Sequence, residues 1–128
     1  MILNLTQHPA SPEQMAAGVI DLSPDARVIL GEWLTFDRPP TSRDMYERSE
    51  LIAGAAAGDS KSVEVPDGVM FAMIGGAPYF MSALEAALNY RGITPLYAFS
   101  VRESSEQAQP DGSVRKVNSF RHAGFVKR

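Results

Sequence analysis

The sequence contains no cysteine and only two histidines among its 128 residues. Without cysteine the protein can form neither disulfide bonds nor thiolate metal sites, and it has no thiol nucleophile. The two histidines do not have the spacing of metal ligands, so we expect no metal ion and no cofactor. Ser11, Ser23 and Thr41 precede predicted helices, where a hydroxyl is better explained as an N-cap than as a nucleophile.

The chain also lacks an apolar run long enough to cross a membrane, and its first six residues carry no basic side chain. We therefore expect no signal or transit peptide, no membrane association, and a cytoplasmic location. Apolar residues make up 45% of the chain, which is enough for a core. At this length we expect one domain spanning residues 1–128.

Acidic residues are absent from the last fifteen positions. Residues 114–128 hold five basic side chains, whereas all fifteen acidic side chains precede Ser113. An acidic body with a short basic segment is unsuited to duplex nucleic acid, which needs an extended basic face, but it suits a compact anion. The alternative is that these cations lie on an exposed strand, where they keep the protein soluble and discourage edge pairing.

The segment from Val69 to Glu103 has the order strand, glycine turn, helix, strand. An apolar run ends at Gly75-Gly76-Ala77-Pro78, a helical pattern follows, and a second apolar run begins at Thr94. Glycines let a ligand approach the backbone, and the N-terminus of the following helix favours a phosphate. The pattern is neither a dinucleotide fingerprint nor a P-loop, and the glycines could equally serve only to make the turn.

The remaining pattern predicts the fold class. Strands are expected at residues 2–6, 69–74 and 94–100, with helices between them. Leu96–Arg102 and Val114–Arg121 are expected to form an antiparallel hairpin with a long, mobile tip. The sequence therefore predicts a small α/β domain whose mixed sheet has a Rossmann-like parallel core and an added C-terminal antiparallel strand, with helices packed on the sheet.

Ligands of such sheets bind at the carboxyl ends of the parallel strands. Those ends are predicted at Gln7-His8, Gly75-Gly76 and Ser100–Arg102. His8 could donate to a phosphate or act as an acid or base on a phosphodiester. The alternative is that His8 only satisfies a carbonyl of its turn.

Several segments resemble one known family, phage Thoeris anti-defence protein one. They are Leu3-Asn4-Leu5-Thr6-Gln7-His8-Pro9-Ala10, Ala72-Met73-Ile74-Gly75-Gly76-Ala77-Pro78, Pro95-Leu96-Tyr97-Ala98-Phe99-Ser100, Pro110-Asp111-Gly112-Ser113-Val114-Arg115-Lys116 and Phe120-Arg121-His122-Ala123-Gly124-Phe125-Val126. The resemblance covers most of the chain and is densest from Met70 onward. It implies a protein that binds and sequesters the cyclic ADP-ribose isomers made by bacterial TIR-domain defence enzymes, without cleaving them.

The resemblance further implies a homodimer, with hexamers built as trimers of dimers and separate sites for cyclic trinucleotides in some members. It implies that an adenine is held between an aromatic ring and an arginine, and that basic groups, partly from a second subunit, contact the phosphates. Tyr79 or Phe80 fits the aromatic role, Asn89 a polar contact, and Arg102 or Arg115 the guanidinium. The full set of expected ligand-binding residues is His8, Gly75, Gly76, Tyr79, Phe80, Asn89, Arg102, Arg115 and Lys116.

Two other functions are compatible with the sequence. A metal-independent ring nuclease, which cleaves a cyclic nucleotide, needs little more than positioned cations and backbone N–H groups. A prophage-encoded subunit that binds only protein is the third possibility. The absence of a convincing acid/base pair favours the non-catalytic sponge over the enzyme.

Overall fold

Five strands and four helices are present in the computed structural model, which describes all 128 residues. In chain order they are β1 (Ile2–Asn4), α1 (Pro12–Ala16), β2 (Val19–Ile20), α2 (Pro24–Leu34), α3 (Ser42–Ala56), β3 (Phe71–Met73), α4 (Pro78–Tyr90), β4 (Thr94–Ala108) and β5 (Val114–Lys127). None of the helices combines the length and the apolar character needed to cross a bilayer.

Three helices begin at side-chain caps that the sequence predicts. The hydroxyls of Ser11, Ser23 and Thr41 each accept a hydrogen bond from a backbone N–H in the first turn of α1, α2 and α3. These bonds satisfy N–H groups that an uncapped helix leaves without a partner. Helix α4 differs, because it follows Ala77 and has no side-chain cap.

The strand order in the sheet is β2-β1-β3-β4-β5. Strands β2, β1, β3 and β4 pair in parallel with one another, and β5 pairs antiparallel to β4. The predicted fold class is therefore confirmed: a mixed sheet with a parallel core and an antiparallel strand at its C-terminal edge. β2 has only two residues and pairs with β1 as an edge strand.

The two faces of the sheet are covered differently. Helices α2, α3 and α4 share one face, where Leu30, Ile52 and Leu84 lie in the same buried cluster as Leu3 and Ile74. The segment around α1 covers the opposite face, where Ala10, Val19 and Met73 form a smaller cluster. The loops that follow β1 and β3 therefore lead to opposite faces of the sheet.

Strands β4 and β5 form a two-stranded ribbon that continues well beyond the rest of the sheet. Their pairing extends to Ala108 opposite Val114, so the expected antiparallel hairpin is present but the expectation of a long tip is wrong, because only residues 109–113 form the turn. The pairing shifts register once, at Phe99 and Ser100. From Ser100 to the turn no residue is fully buried. An isolated two-stranded ribbon of this kind is marginally stable in water.

Candidate functional site

A cleft of about 730 Å³ lies at the carboxyl ends of β1 and β3. The chain leaves these two adjacent parallel strands toward opposite faces of the sheet, and a crevice opens where the two loops separate. The cleft is lined by the β1–α1 loop, the end of α2, the β3–α4 loop, the first turn of α4 and part of β4. Of the three predicted binding segments, Gln7-His8 and Gly75-Gly76 line it. Ser100–Arg102 does not, because β4 continues past the sheet edge, and Tyr97 and Ala98 lie there instead.

Aromatic rings form one wall of the cleft. The ring of Phe36 lies 6.3 Å from that of Tyr79 and makes a T-shaped contact with Phe80 at 5.4 Å. Tyr79 is 57% exposed, so much of its ring is free, whereas Phe80 is fully buried in the core. Arg48 fixes Phe36, because its guanidinium lies 5.1 Å from the ring centroid. Only one member of the Tyr79/Phe80 pair therefore presents a ring to the cleft.

The guanidinium of Arg48 is also bound to backbone. Its Nη1 donates to the carbonyls of Glu32, Trp33 and Thr35, at 2.7, 3.1 and 3.1 Å. These carbonyls lie at the C-terminal end of α2, where a cation interacts favourably with the helix dipole. Arg48 therefore acts as a support for the aromatic wall rather than as a free cation of the cleft.

The glycine turn of the β3–α4 loop also lines the cleft. The amides of Gly75, Gly76 and Ala77 donate to no backbone acceptor, whereas in the first turn of α4 Pro78 has no N–H and Phe80 donates to the carbonyl of Ala77 at 3.0 Å. Gly76 has a φ of +150°, a conformation that L-residues rarely adopt, while Gly75 has no positive φ. Such a run of unpaired N–H groups can bind an anion.

Ionisable groups are few in the cleft. No Asp, Glu, Lys or Arg lines it, and His8, on the β1–α1 loop, is its only histidine. His8 is exposed and has no carboxylate beside it in the cleft. The cleft thus offers stacking surface and hydrogen-bond donors but no pair of residues for general acid/base catalysis.

Tyr97 closes the β4 side of the cleft. Its hydroxyl donates a hydrogen bond of 2.6 Å to Oε2 of Glu85, in α4. Burial and this hydrogen bond raise the pKa of Tyr97 far above its usual value. Tyr97 is therefore a neutral donor, already committed to Glu85, at any physiological pH.

The remaining predicted residues lie away from the cleft within one chain. Asn89 is exposed near the C-terminal end of α4, about 15 Å along the helix axis from Tyr79. Arg102, Arg115 and Lys116 are exposed on the ribbon. None of these three cations forms an ion pair, whereas ribbon residue Arg121 is paired with Glu103 at 2.6 Å.

Sequence reasoning missed Phe36, Gln14 and Tyr97 as residues of the cleft. Phe36 lies between the end of α2 and Pro39-Pro40, where the pattern indicates only a helix-breaking segment. The signal that could have found Tyr97 is the alternation of β4, which places it on the same side as the helices. Gln14 carries no such signal.

A second groove, of about 590 Å³, lies between α3 and α4 on the surface. The exposed rings of Tyr46 and Tyr90 flank it, and small side chains of α4 form its base. Tyr79 lies between this groove and the cleft and lines both. The groove contains no strand end and no glycine turn, so it lacks the N–H groups that characterise the cleft.

The family model described as "Uncharacterized protein MJ1673 family" matches residues 1–126. The chain belongs to the MJ1673 family. Comparison with curated proteins and with solved structures finds no match. The match covers β1 to β4, all but the last residue of β5, and both loops that line the cleft, so the whole cleft lies within the matched residues.

Proposed function

We propose that this protein binds and sequesters a cyclic ADP-ribose isomer in the cleft between the β1–α1 and β3–α4 loops, without cleaving it. The observation that carries the proposal is the combination, in one cleft, of an exposed aromatic ring at Tyr79 with unpaired backbone N–H groups at Gly75 and Gly76. A nucleotide has a base that stacks on rings and phosphates that accept from N–H groups. The volume of about 730 Å³ suits a ligand of that size.

Tyr79 is the residue that stacks on the adenine. Its ring is held by Phe36 on one side and is open to the cleft on the other. Stacking of a base on an aromatic side chain contributes about 1–3 kcal/mol. A sponge needs sub-micromolar affinity, which corresponds to about −8 kcal/mol or better, so stacking alone is insufficient and the phosphates must contribute.

Cations from a second subunit supply part of the binding free energy that comes from the phosphates. The cleft itself has no Lys or Arg, and the unpaired cations Arg102, Arg115 and Lys116 lie on the ribbon. A homodimer in which the ribbon of one subunit reaches the cleft of the other would bring these cations to the phosphates and cover the exposed ribbon. A guanidinium can both stack on a purine and bind phosphate oxygens.

The small number of ionisable groups in the cleft supports a non-catalytic role. His8 has no carboxylate partner there, and the nearby glutamate Glu85 is engaged by Tyr97. The protein therefore retains its ligand intact. Acting in the cytoplasm of the infected or lysogenic bacterial host, it would lower the concentration of the TIR-derived signal and so block Thoeris-type defence.

Ligand release distinguishes this function from that of a ring nuclease. The purified protein is incubated with cyclic ADP-ribose isomers and, separately, with cyclic oligonucleotides, and is then heat-denatured. Mass spectrometry identifies the released molecule. Recovery of the intact cyclic ADP-ribose isomer is expected. Recovery of a linear product would show cleavage, and recovery of no nucleotide would contradict the proposal altogether.

A further inference from the structure

Asn4, at the end of β1, is one of only two buried polar residues, with 1% of its surface exposed. Its Nδ2 donates to the carbonyl of His8 and to Oδ1 of Asp21, both at 2.8 Å. Its Oδ1 accepts from the backbone N–H of Thr6 at 2.9 Å and from the Thr6 hydroxyl at 2.7 Å. The carboxamide of Asn4 thus uses both of its N–H donors and accepts two bonds at its oxygen.

Asp21 anchors the other end of the same loop. Its carboxylate accepts from the backbone N–H of Ala10 at 3.0 and 3.3 Å, in addition to the bond from Asn4. Ala10 is itself buried on the α1 side of the sheet. The β1–α1 loop is therefore held at Thr6, at His8 and at Ala10 by two side chains that are bonded to each other.

The residues between these anchors face the cleft. Thr6, Gln7, His8 and Pro9 all line it, and the backbone N–H groups of Gln7 and His8 donate to no backbone acceptor. A loop with its own carbonyl and amide groups satisfied by buried side chains can keep other N–H groups free and oriented toward a ligand. Preorganisation of this kind lowers the entropic cost of binding.

We propose that Asn4 is the positioning residue of the cleft, which holds the β1–α1 loop so that the N–H groups of Gln7 and His8 meet the anionic part of the ligand. The inference rests on the proposed function for the identity of the ligand, and extends it to a residue that does not line the cleft. Asn4 acts together with Asp21, whose carboxylate orients the Asn4 amide.

The test compares wild type with Asn4→Asp and with the double variant Asn4→Asp, Asp21→Asn. The single variant places two carboxylates where one hydrogen bond of 2.8 Å stood. In the double variant the amide introduced at position 21 can donate to the carboxylate introduced at position 4, which restores that bond with reversed polarity. The matched control is Ser49→Ala, which changes the other buried polar residue, on α3 and outside the cleft.

Binding of cyclic ADP-ribose, ADP and inorganic pyrophosphate is measured by calorimetry, with folding checked by circular dichroism. Amide chemical shifts of Gln7, His8 and Gly76 are followed by NMR during each titration. We expect Asn4→Asp to weaken binding about tenfold or more, equivalent to ~1.4 kcal/mol. In this variant the ligand should no longer shift the amide signals of Gln7 and His8, but it should still shift that of Gly76. The double variant should recover part of the affinity, and Ser49→Ala should bind as wild type does.

Each result has a separate meaning. Equal affinity of Asn4→Asp and wild type, or shifts that persist at Gln7 and His8, would overturn the role of Asn4 while leaving the proposed function in place. If wild type binds ADP or pyrophosphate but no cyclic ADP-ribose isomer, either in calorimetry or in the release experiment, the proposed function fails. The comparison of variants with ADP or pyrophosphate would still decide the role of Asn4. If wild type binds none of the three, both proposals fail. If the Asn4→Asp variant does not fold, the double variant is measured instead, and its ligand-induced shifts at Gln7 and His8 decide the role of Asn4.

Discussion

The hydroxyl of Tyr97 and Oε2 of Glu85 are joined by a hydrogen bond of 2.6 Å that connects β4 to α4 at the edge of the cleft. Arg128 lies 3.6 Å from the other oxygen of the same carboxylate. Burial, followed by the hydrogen bond with Glu85, raises the pKa of Tyr97. This contact fixes one wall of the cleft and makes its stability sensitive to alkaline pH.

We expect Tyr97→Phe to lower the free energy of unfolding by about 1 kcal/mol near pH 7, the usual net value of one hydrogen bond. Above about pH 10 the unfolded chain loses its tyrosine proton while folded Tyr97 keeps it, so this stabilisation falls as pH rises. The difference between wild type and variant should therefore shrink between about pH 10 and 11.5 in urea denaturation. Tyr90→Phe, at an 88% exposed tyrosine, is the control and should show no such difference.

The two glycines of the β3–α4 loop should differ in their tolerance of a side chain. Gly76 has a φ of +150° and a Cβ there would lie 3.5 Å from Met81, whereas Gly75 has no positive φ and a Cβ would lie 3.7 Å from Thr6. We expect Gly76→Ala to cost about 1–3 kcal/mol because of backbone strain, and Gly75→Ala to cost less. Thermal denaturation of both variants measures this. Equal destabilisation would contradict the backbone geometry.

The helices and their starting points could be predicted because their signals are local. Ser11, Ser23 and Thr41 each lie three residues from the N–H group that they bind, so the cap and its partner appear together in the sequence. The buried stripe of α4, which includes Leu84 and Leu88, repeats at helical spacing and could be predicted for the same reason.

The length of β4 could not be predicted, because its outer half depends on a partner strand distant in sequence. Residues 104–108 are Ser, Glu, Gln and Ala, which favour strands weakly, and they adopt a strand only through pairing with β5. The cleft could be predicted in part. Its glycine turn and His8 follow strand ends, but Phe36 reaches it through the folding of the α2–α3 connection against α4, which no local pattern indicates.

Removal of the exposed ring of Tyr79 should show whether the ligand binds in the cleft or in the groove between α3 and α4. We expect Tyr79→Ala to weaken binding of cyclic ADP-ribose by about 1–3 kcal/mol, and Tyr79→Phe to retain most of the affinity because the ring is kept. Calorimetry with the purified variants measures both. Tyr90→Ala is the matched control, because Tyr90 belongs to the same helix and lines only the groove. Loss of affinity in Tyr90→Ala but not in Tyr79→Ala would move the binding site to the groove.

The unpaired cations of the ribbon should matter for binding but not for folding. We expect Arg102→Ala or Arg115→Ala to weaken cyclic ADP-ribose binding about tenfold or more and to leave the melting temperature nearly unchanged, because both side chains are exposed and form no ion pair. Arg121→Ala is the control, since this ribbon arginine is already paired with Glu103. Full affinity in both single variants would remove these arginines from the site.

Mixing two variants with weakened binding tests whether the cations act across a subunit interface. Tyr79→Ala has a defective cleft and an intact ribbon, and Arg115→Ala has the reverse. If the ribbon of one subunit completes the cleft of the other, a mixed dimer contains one site with both Tyr79 and Arg115 and one site with neither. We therefore expect refolding of an equimolar mixture to restore high-affinity binding to about a quarter of all sites, because mixed dimers form half of a random population. Titration calorimetry gives the number of such sites. If mixing restores none while both variants still form dimers by light scattering, ring and cation belong to the same chain or Arg115 does not contact the ligand.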